Sequence, residues 1–566
     1  MKISNLDKDV INDTARFALG LIDHSDICET IAKRRAEQRA QRDALKDQLS
    51  EKVLPRHRDG GRPALINDRA VLTLMMTLAL LETSIFLKHA SELIAYLSKN
   101  LIRELGIRSS TTDRACYDAV YRAWVRFADV IDPYPYPKWK RLTKQEYSGV
   151  LANRKKTRRQ EREETLFWVC NQLIEATVQW AREQCPQVYH ELAPIYCIDA
   201  TPVATWGKQG NGVRSDRVSH NPDAGSYVRE GDHRDDGTKS HKTAFWSYEA
   251  TLITLASLGP KIDFPRIIVA IDFDKPGCDV SGHGRRTFAS LIYRGHQPGR
   301  SVADRAYLPN SKFEKLQIPL RQMGFELCFD YQVNQLGIQD NFGGANLVEG
   351  GWFCPSMPKV LVDATKDLRA GTIDEDTYQA RIETRRAYRL RPKGRPDVDG
   401  YVQMMCPAAG KSATLTCPLK IAKRTSTAGL PNIVNPPEHP DIICTNKTSV
   451  TFTPTAGAKY VQNLLYGSRE WHKLYASARN TIEGFNGYVK DSDHGALGDP
   501  GRRRAAGLTN QFLFTTLIVA ASNIRKTMSF IEAQATKVDA TSRSRKPRRR
   551  DRLSDVIPIK ETSLST

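Results

Sequence analysis

The chain has 566 residues, long enough for a sizeable core spread over about three or four domain-sized units. Its 84 Lys and Arg outnumber 64 Asp and Glu for a formal charge of +20, so a polyanion is the favoured partner, because neutralising phosphates releases counterions. Charge alone does not separate DNA, RNA and an anionic membrane; the opening MKISNLDKDVINDTA lacks the basic start and apolar centre of a secretory signal, so a cytoplasmic protein with reduced Cys is expected.

Residues 1–60 read as a charged arm, in which AKRRAEQRAQRDALKDQLSEKVLP has few large apolar positions. GGRPALIND then opens an all-helical segment over 61–190, broken by DPYPYPKW and by NRKKTRRQEREE. Its apolar run from Ala70 to Leu81 is short and bracketed by Asp68, Arg69 and Glu82, so it predicts a buried helix and not a membrane span. SSTTDRACYDAVYRAWVRFA has hydroxyl caps and an amphipathic run with Arg114, Arg122 and Arg126 on one side, which fits a recognition helix of a DNA-binding domain and equally a solvated face.

From Pro194 the pattern changes to short apolar runs separated by turns: IYCID, AFWSYEATLITLAS, PRIIVAIDFD, SVADRAY and FELCFDY. RRTFASLIYRG is the one good helix before the fourth run, so three strands arrive as a meander and the fourth by a crossover, the order of a ribonuclease-H-like sheet. Residues 191–335 thus hold the first part of a split α/β domain. Residues 336–465, rich in Pro, Gly, Thr and single Cys, read as a β-rich insertion with one helix at about 372–389. Residues 466–530 return to helix; the run from Leu508 carries Asn510, Gln511, Thr515, Thr516 and Asn523 and reads as core. Residues 531–566 form a basic tail too polar to order itself, whose Arg543–Arg552 cluster suits a non-specific DNA arm.

Four carboxylates end apolar runs: Asp199, Asp272, Asp274 and Asp304. Asp followed by Thr-Pro, as at Asp199, commonly makes no more than a turn. In a meander the third strand lies two places from the first, roughly 10 Å away at about 4.8 Å per step, whereas the crossover strand can lie beside the first and parallel to it. Asp304 then comes within one strand spacing of Asp199, close enough to share a metal, and Asp272 does not. Glu483 lies on a helix with Arg479 four residues before and Lys490 seven after, all on one face. An ordinary salt-bridged surface helix has the same pattern. Gly484 and Gly487 argue against that, since each costs a helix roughly 1 kcal/mol relative to Ala and is expected where a sheet or a DNA backbone approaches closely.

The stretches CIDATPV, VADRAY and RNTIEGFNGYVK resemble the DDE transposases of bacterial insertion sequences, in particular the group with a Tyr-Arg-Glu-Lys signature. Arg, Glu and Lys are spaced there as Arg479, Glu483 and Lys490 are here, while Tyr475 has three residues between it and Arg479 instead of two. The resemblance covers about 190–335 and 465–525. It implies a mixed α/β chain with a ribonuclease-H-like catalytic domain split by the insertion and preceded by the helical domain. It also implies that Asp199, Asp304 and Glu483 are catalytic and hold two Mg²⁺ ions, for which Mn²⁺ can substitute, and that Arg479, Lys490 and Tyr475 bind DNA. Crowded carboxylates resist ionisation unless a divalent cation neutralises them, and hard oxygen ligands favour these ions. The implied reaction is hydrolysis at the element's ends and transesterification into target DNA. The implied partners are terminal inverted repeats and target duplex, bound by a homodimer at the nucleoid, with no membrane. A transposase-derived DNA-binding protein without cleavage, and a ribonuclease-H-like nuclease without strand transfer, are the alternatives.

Cys354, Cys406, Cys417 and Cys444 fall in the insertion, and three of them precede Pro. Thiols gathered in a core-poor segment suit a structural Zn²⁺, but no CxxC is present and buried free thiols fit the same pattern. Trp352 in GGWFCP reads as a core residue, with stacking on a flipped base as its functional alternative.

Overall fold

The computed structural model describes residues 3–48, 64–108, 112–152, 156–190, 194–207, 216–229, 243–258, 264–420 and 429–540. Its centre is a mixed sheet of six strands: β1 (Ile195–Ala204), β2 (Gly225–Arg229), β3 (Thr243–Ala256), β4 (Ile268–Asp274), β5 (Arg300–Ala303) and β6 (Glu326–Phe329). Helices α1 (Lys8–Asp23), α2 (Asp68–Leu80), α3 (Asp113–Ile131) and α4 (Lys156–Gln184) precede it. α5 (Val280–Tyr293) joins β4 to β5, and α6 (Arg469–Lys490) and α7 (Leu508–Ala540) follow the insertion.

Ile195–Ile198 of β1 are all buried, as in a strand covered on both faces. β1 runs antiparallel to β3, from Ile195↔Ala256 to Ala204↔Ser247, and parallel to β5, from Ile195↔Arg300 to Ile198↔Ala303. β4 pairs antiparallel with the far edge of β3, and β6 continues parallel beyond β5. The meander and crossover expected from the spacing of apolar runs are therefore present. β2 was not expected, because its surroundings, NPDAGSYVREGD, are dense in turn formers and charge. It pairs with the start of β3, a strand of 14 residues that takes β2 and β4 end to end along one edge. α5 begins five residues before RRTFASLIYRG, because Asp279 caps it by accepting from the Gly282 amide at 3.3 Å. An added Cβ at Gly284 would stand 3.2 Å from Leu316 and 3.3 Å from Tyr307, so the missing side chain lets α5 close on the sheet.

The helices before the sheet share its apolar core: Val71, Leu74, Phe127, Val169 and Ile174 are buried in one cluster with Ile198, Ile253, Ile271, Leu513 and Leu517. Two buried amides complete β4, an edge strand. Asn171 of α4 donates to the Ile271 carbonyl at 2.8 Å and accepts from its amide at 3.1 Å. Asn523 of α7 does the same for Ile268, at 2.8 and 2.9 Å. The polar residues that break up the run after Leu508 are thus core partners of the sheet. Among the described residues no helix is long and apolar enough to cross a membrane.

The insertion has a separate apolar core. Two three-stranded antiparallel sheets surround it: β7 (Ile338–Phe342), β8 (Ala345–Val348) and β9 (Gly351–Phe353), then β10 (Arg391–Pro392), β11 (Val402–Met405) and β12 (Val450–Phe452). A helix over Glu375–Arg385 carries the fully buried Arg385, which pairs with Glu349 at 2.6 Å and donates to the Leu361 carbonyl at 2.9 Å. Trp352 is buried edge-on against Phe452, with ring centroids 5.0 Å apart, which is the core role.

Candidate active site

Ile198 pairs with Ala303, so one step on, Asp199 in the middle of β1 stands beside Asp304, the first residue past the end of the parallel strand β5. Asp304 is held by its own turn, accepting from the amides of Ala306 at 3.0 Å and Tyr307 at 3.3 Å. The Asp199 side chain is 15% exposed. Burial raises its pKa above the usual carboxylate value; Arg479 opposes that shift and Asp304 adds to it.

α6 brings the remaining groups. Ser468 caps it, accepting from the Trp471 amide at 3.2 Å, and the stripe Trp471, Leu474, Ala478, Ile482, Phe485 and Val489 is buried toward the sheet. Beside that stripe, Arg479 Nη1 stands 3.4 Å from Asp199 Oδ1 and Nη2 donates to Glu483 Oε1 at 3.0 Å. The guanidinium bridges a sheet carboxylate and a helix carboxylate. Although burial works against its charge, Asp199 and the neighbouring anionic groups raise the Arg479 pKa. Asn486, seven residues beyond Arg479 and 9% exposed, donates to Asp199 Oδ2 at 3.2 Å. The sequence reading missed Asn486; its position in the stripe of Arg479 and Glu483 was the available signal. Arg479 Nη1 and Asn486 Oδ1 are both buried without a hydrogen bond.

Tyr475 lies one turn before Arg479, half-buried and stacked on Trp471 with centroids 4.9 Å apart at 9°. Burial, then Asp330, raises the pKa of its hydroxyl. Lys490 is half-buried in the last turn. The expectation that the sheet crowds Gly484 and Gly487 does not hold: a Cβ at either meets nothing within 4 Å. Both are exposed, as is Glu483, so they form a strip without side chains beside the carboxylate.

Asp272 occupies the other face of the sheet. It pairs with Thr251, which pairs with Ala200, and the alternation of side chains turns Asp199 away from both. Fully buried, it accepts from Arg286 Nε at 2.8 Å and meets His283 Nδ1 at 2.7 Å. Burial alone would raise its pKa; Arg286 and His283 instead hold it to about 2. Asp274 lies 3.6 Å from His283 Nε2. Burial lowers the His283 pKa, but the two aspartates together raise it.

The chain matches no protein-family model and no curated protein. Geometry and chemistry must therefore carry any functional reading.

Arg126 is committed to the fold, donating to the Ile66 carbonyl at 2.8 Å, while Arg114 and Arg122 stay exposed on α3. The Arg543–Arg552 cluster lies outside the described residues. Cys354, Cys406 and Cys444 are buried in the insertion's core, and Cys417 packs against it. No group of three or more His, Cys, Asp or Glu among the described residues is set as a metal-ligand set as it stands. Around Asp199, the Arg479 guanidinium acts as the counter-charge.

Proposed function

We propose that this chain is a DDE-type transposase that cuts the ends of a DNA element and joins them to target DNA with two divalent metal ions. The central support is Asp199 within β1 beside Asp304 at the end of the parallel strand β5, with Arg479 linking Asp199 to Glu483 from a helix that follows the insertion. The strand order β4-β3-β1-β5-β6, with β5 and β6 parallel to β1, agrees with a ribonuclease-H-like sheet.

The residues suit Mg²⁺ or Mn²⁺. Asp199 is a half-buried carboxylate whose charged form is disfavoured by desolvation and by Asp304 and favoured by Arg479, and hard carboxylate oxygens are the ligands these ions prefer. Asp199, Asp304 and Glu483 would hold the ions. The ions would supply activation of water and neutralisation of charge on the attacking and leaving oxygens. Asn486 keeps Asp199 oriented. Arg479, when it leaves the carboxylates, offers a planar fork to a phosphate, and Lys490 offers a point charge. The bare strip at Gly484 and Gly487 gives a sugar-phosphate backbone room to lie beside Glu483.

The test is the purified full chain acting on a plasmid that carries the DNA flanking its own gene. Mg²⁺-dependent nicking and strand transfer are expected, with both lost in Asp199→Asn, Asp304→Asn and Glu483→Gln. Full cleavage by any of the three variants overturns the assignment. Nicking without joining would identify a nuclease, and specific binding without nicking a DNA-binding derivative.

A further inference from the structure

The insertion places its four cysteines in a pattern that the proposed chemistry leaves unused. Cys354, Cys406 and Cys417 each precede Pro and each open a tight turn, in which the amide three residues on donates to the Cys carbonyl: Met357 at 3.0 Å, Ala409 at 2.9 Å and Lys420 at 3.0 Å. In the first two turns the amide two residues on, of Ser356 and of Ala408, also points at the sulfur. Backbone N–H groups aimed at sulfur stabilise thiolate, the form that binds metal.

The backbone gathers these turns. The Cys354 amide donates to the Tyr388 carbonyl at 2.9 Å on one edge of segment 388–392, while on its other edge Arg391 pairs with Met405, which sets Cys406 opposite Leu390. Cys354 and Cys406 therefore flank this segment from its two edges, opposite positions two residues apart. The Lys420 ammonium in the Cys417 turn donates to the carbonyl of Asn446, two residues past Cys444, and so ties the second pair together. Cys354, Cys406 and Cys444 are buried in the one apolar core of the insertion, and Cys417 packs against it.

We propose that Cys354, Cys406, Cys417 and Cys444 form a structural zinc site that fastens the two halves of the insertion. Four thiolates suit a tetrahedral ion, and two of the three Cys-Pro turns supply the amide donors that such a site uses around sulfur. Each thiol would give its proton to solvent as its sulfur binds, and rotation about χ1 would draw the sulfurs in. Zinc would thus add cohesion to a segment whose strands are only two to five residues long.

The test is metal analysis of the full chain purified without chelator, with Co²⁺ substitution as a second measurement. About one zinc per chain is expected, with cobalt bands characteristic of tetrahedral thiolate coordination. Zinc should be lost in the Cys406→Ser, Cys444→Ser double variant and kept in Cys278→Ser, which changes an exposed thiol. Retention of zinc by the double variant, iron in place of zinc, or less than about a tenth of an equivalent with no cobalt bands would each overturn the site. If the double variant does not fold, the cobalt spectrum of the unaltered chain decides. None of these outcomes depends on DNA cleavage.

Discussion

Two acidic groups, the Asp199–Asp304 pair and the Asp272–Asp274 pair, lie on or just beyond strands of the same sheet and look alike in sequence, yet Asp199 and Asp272 face opposite sides and their pKa values move in opposite directions. Asp272 has every need met: Arg286 and His283 engage its oxygens, and its pKa falls. Asp199 sits beside a second carboxylate with one shared guanidinium, and its pKa rises. Charge that is satisfied within the chain holds the fold together. Under the proposed reading, the carboxylates around Asp199 are where the metal ions would bind.

The sharpest way to break this comparison is to neutralise one member of each group. Asp199→Asn should lower Mg²⁺-dependent cleavage by about 10³-fold or more, whereas Asp272→Asn should leave cleavage per folded molecule close to that of the parent. Equal losses in both would erase the distinction. Stability should respond in the opposite sense. Asp272→Ala removes the counter-charge of buried His283 and Arg286 and should cost about 3–5 kcal/mol in urea unfolding.

A smaller effect is expected on α6. Gly484→Ala and Gly487→Ala should each stabilise the fold by about 1 kcal/mol, because nothing obstructs the new methyl. If DNA lies along that strip, the same variants lose cleavage while gaining stability. Unchanged cleavage would remove the strip from the DNA path.

The smallest effect concerns pH. The folded-state pKa of Asp199 is raised, so its favourable contribution is complete below the unfolded value and is lost as pH rises through the folded value. Asp199→Asn should therefore raise Tm at pH 7, and the gain should vanish in acid, where the parent carboxyl is itself protonated. Mg²⁺ should raise the Tm of the parent more than that of the variant. A lower Tm for Asp199→Asn at pH 7 would show that its pairing with Arg479 outweighs the burial.

Much of the sheet was legible because apolar runs without a helix between them must pair antiparallel, and one amphipathic helix before SVADRAY forces a crossover. β2 was not legible, since its pairing comes from the length of β3 and not from its own composition. The separation of Asp272 from Asp199 was inferred from distance alone; the decisive fact is the strand register, which puts them on opposite faces and which no local pattern reveals. Arg479 and Glu483 announced themselves by charge at helical spacing. Asn486 carried no charge, and helical phase alone does not distinguish a site amide from an ordinary buried one. Periodicity showed that the early helices have an apolar face, but not that this face shares the sheet's core. The strands of the insertion are too short to leave a periodic trace.

Arg479 cannot clasp Asp199 and Glu483 and a phosphate at the same time. In the unliganded chain its guanidinium behaves as a latch, closed on the two carboxylates that the proposed reaction needs free. If the proposed function holds, drawing Arg479 toward DNA would uncover the oxygens that would hold the cations, and cations on those oxygens would release Arg479 to the DNA. The two affinities are then linked by a common factor, equal in both directions. Calorimetric titration of Mg²⁺ with and without duplex would read that factor, and Arg479→Ala should reduce it to one. A transposase of the proposed kind would in this way withhold cutting until substrate and metal have arrived together.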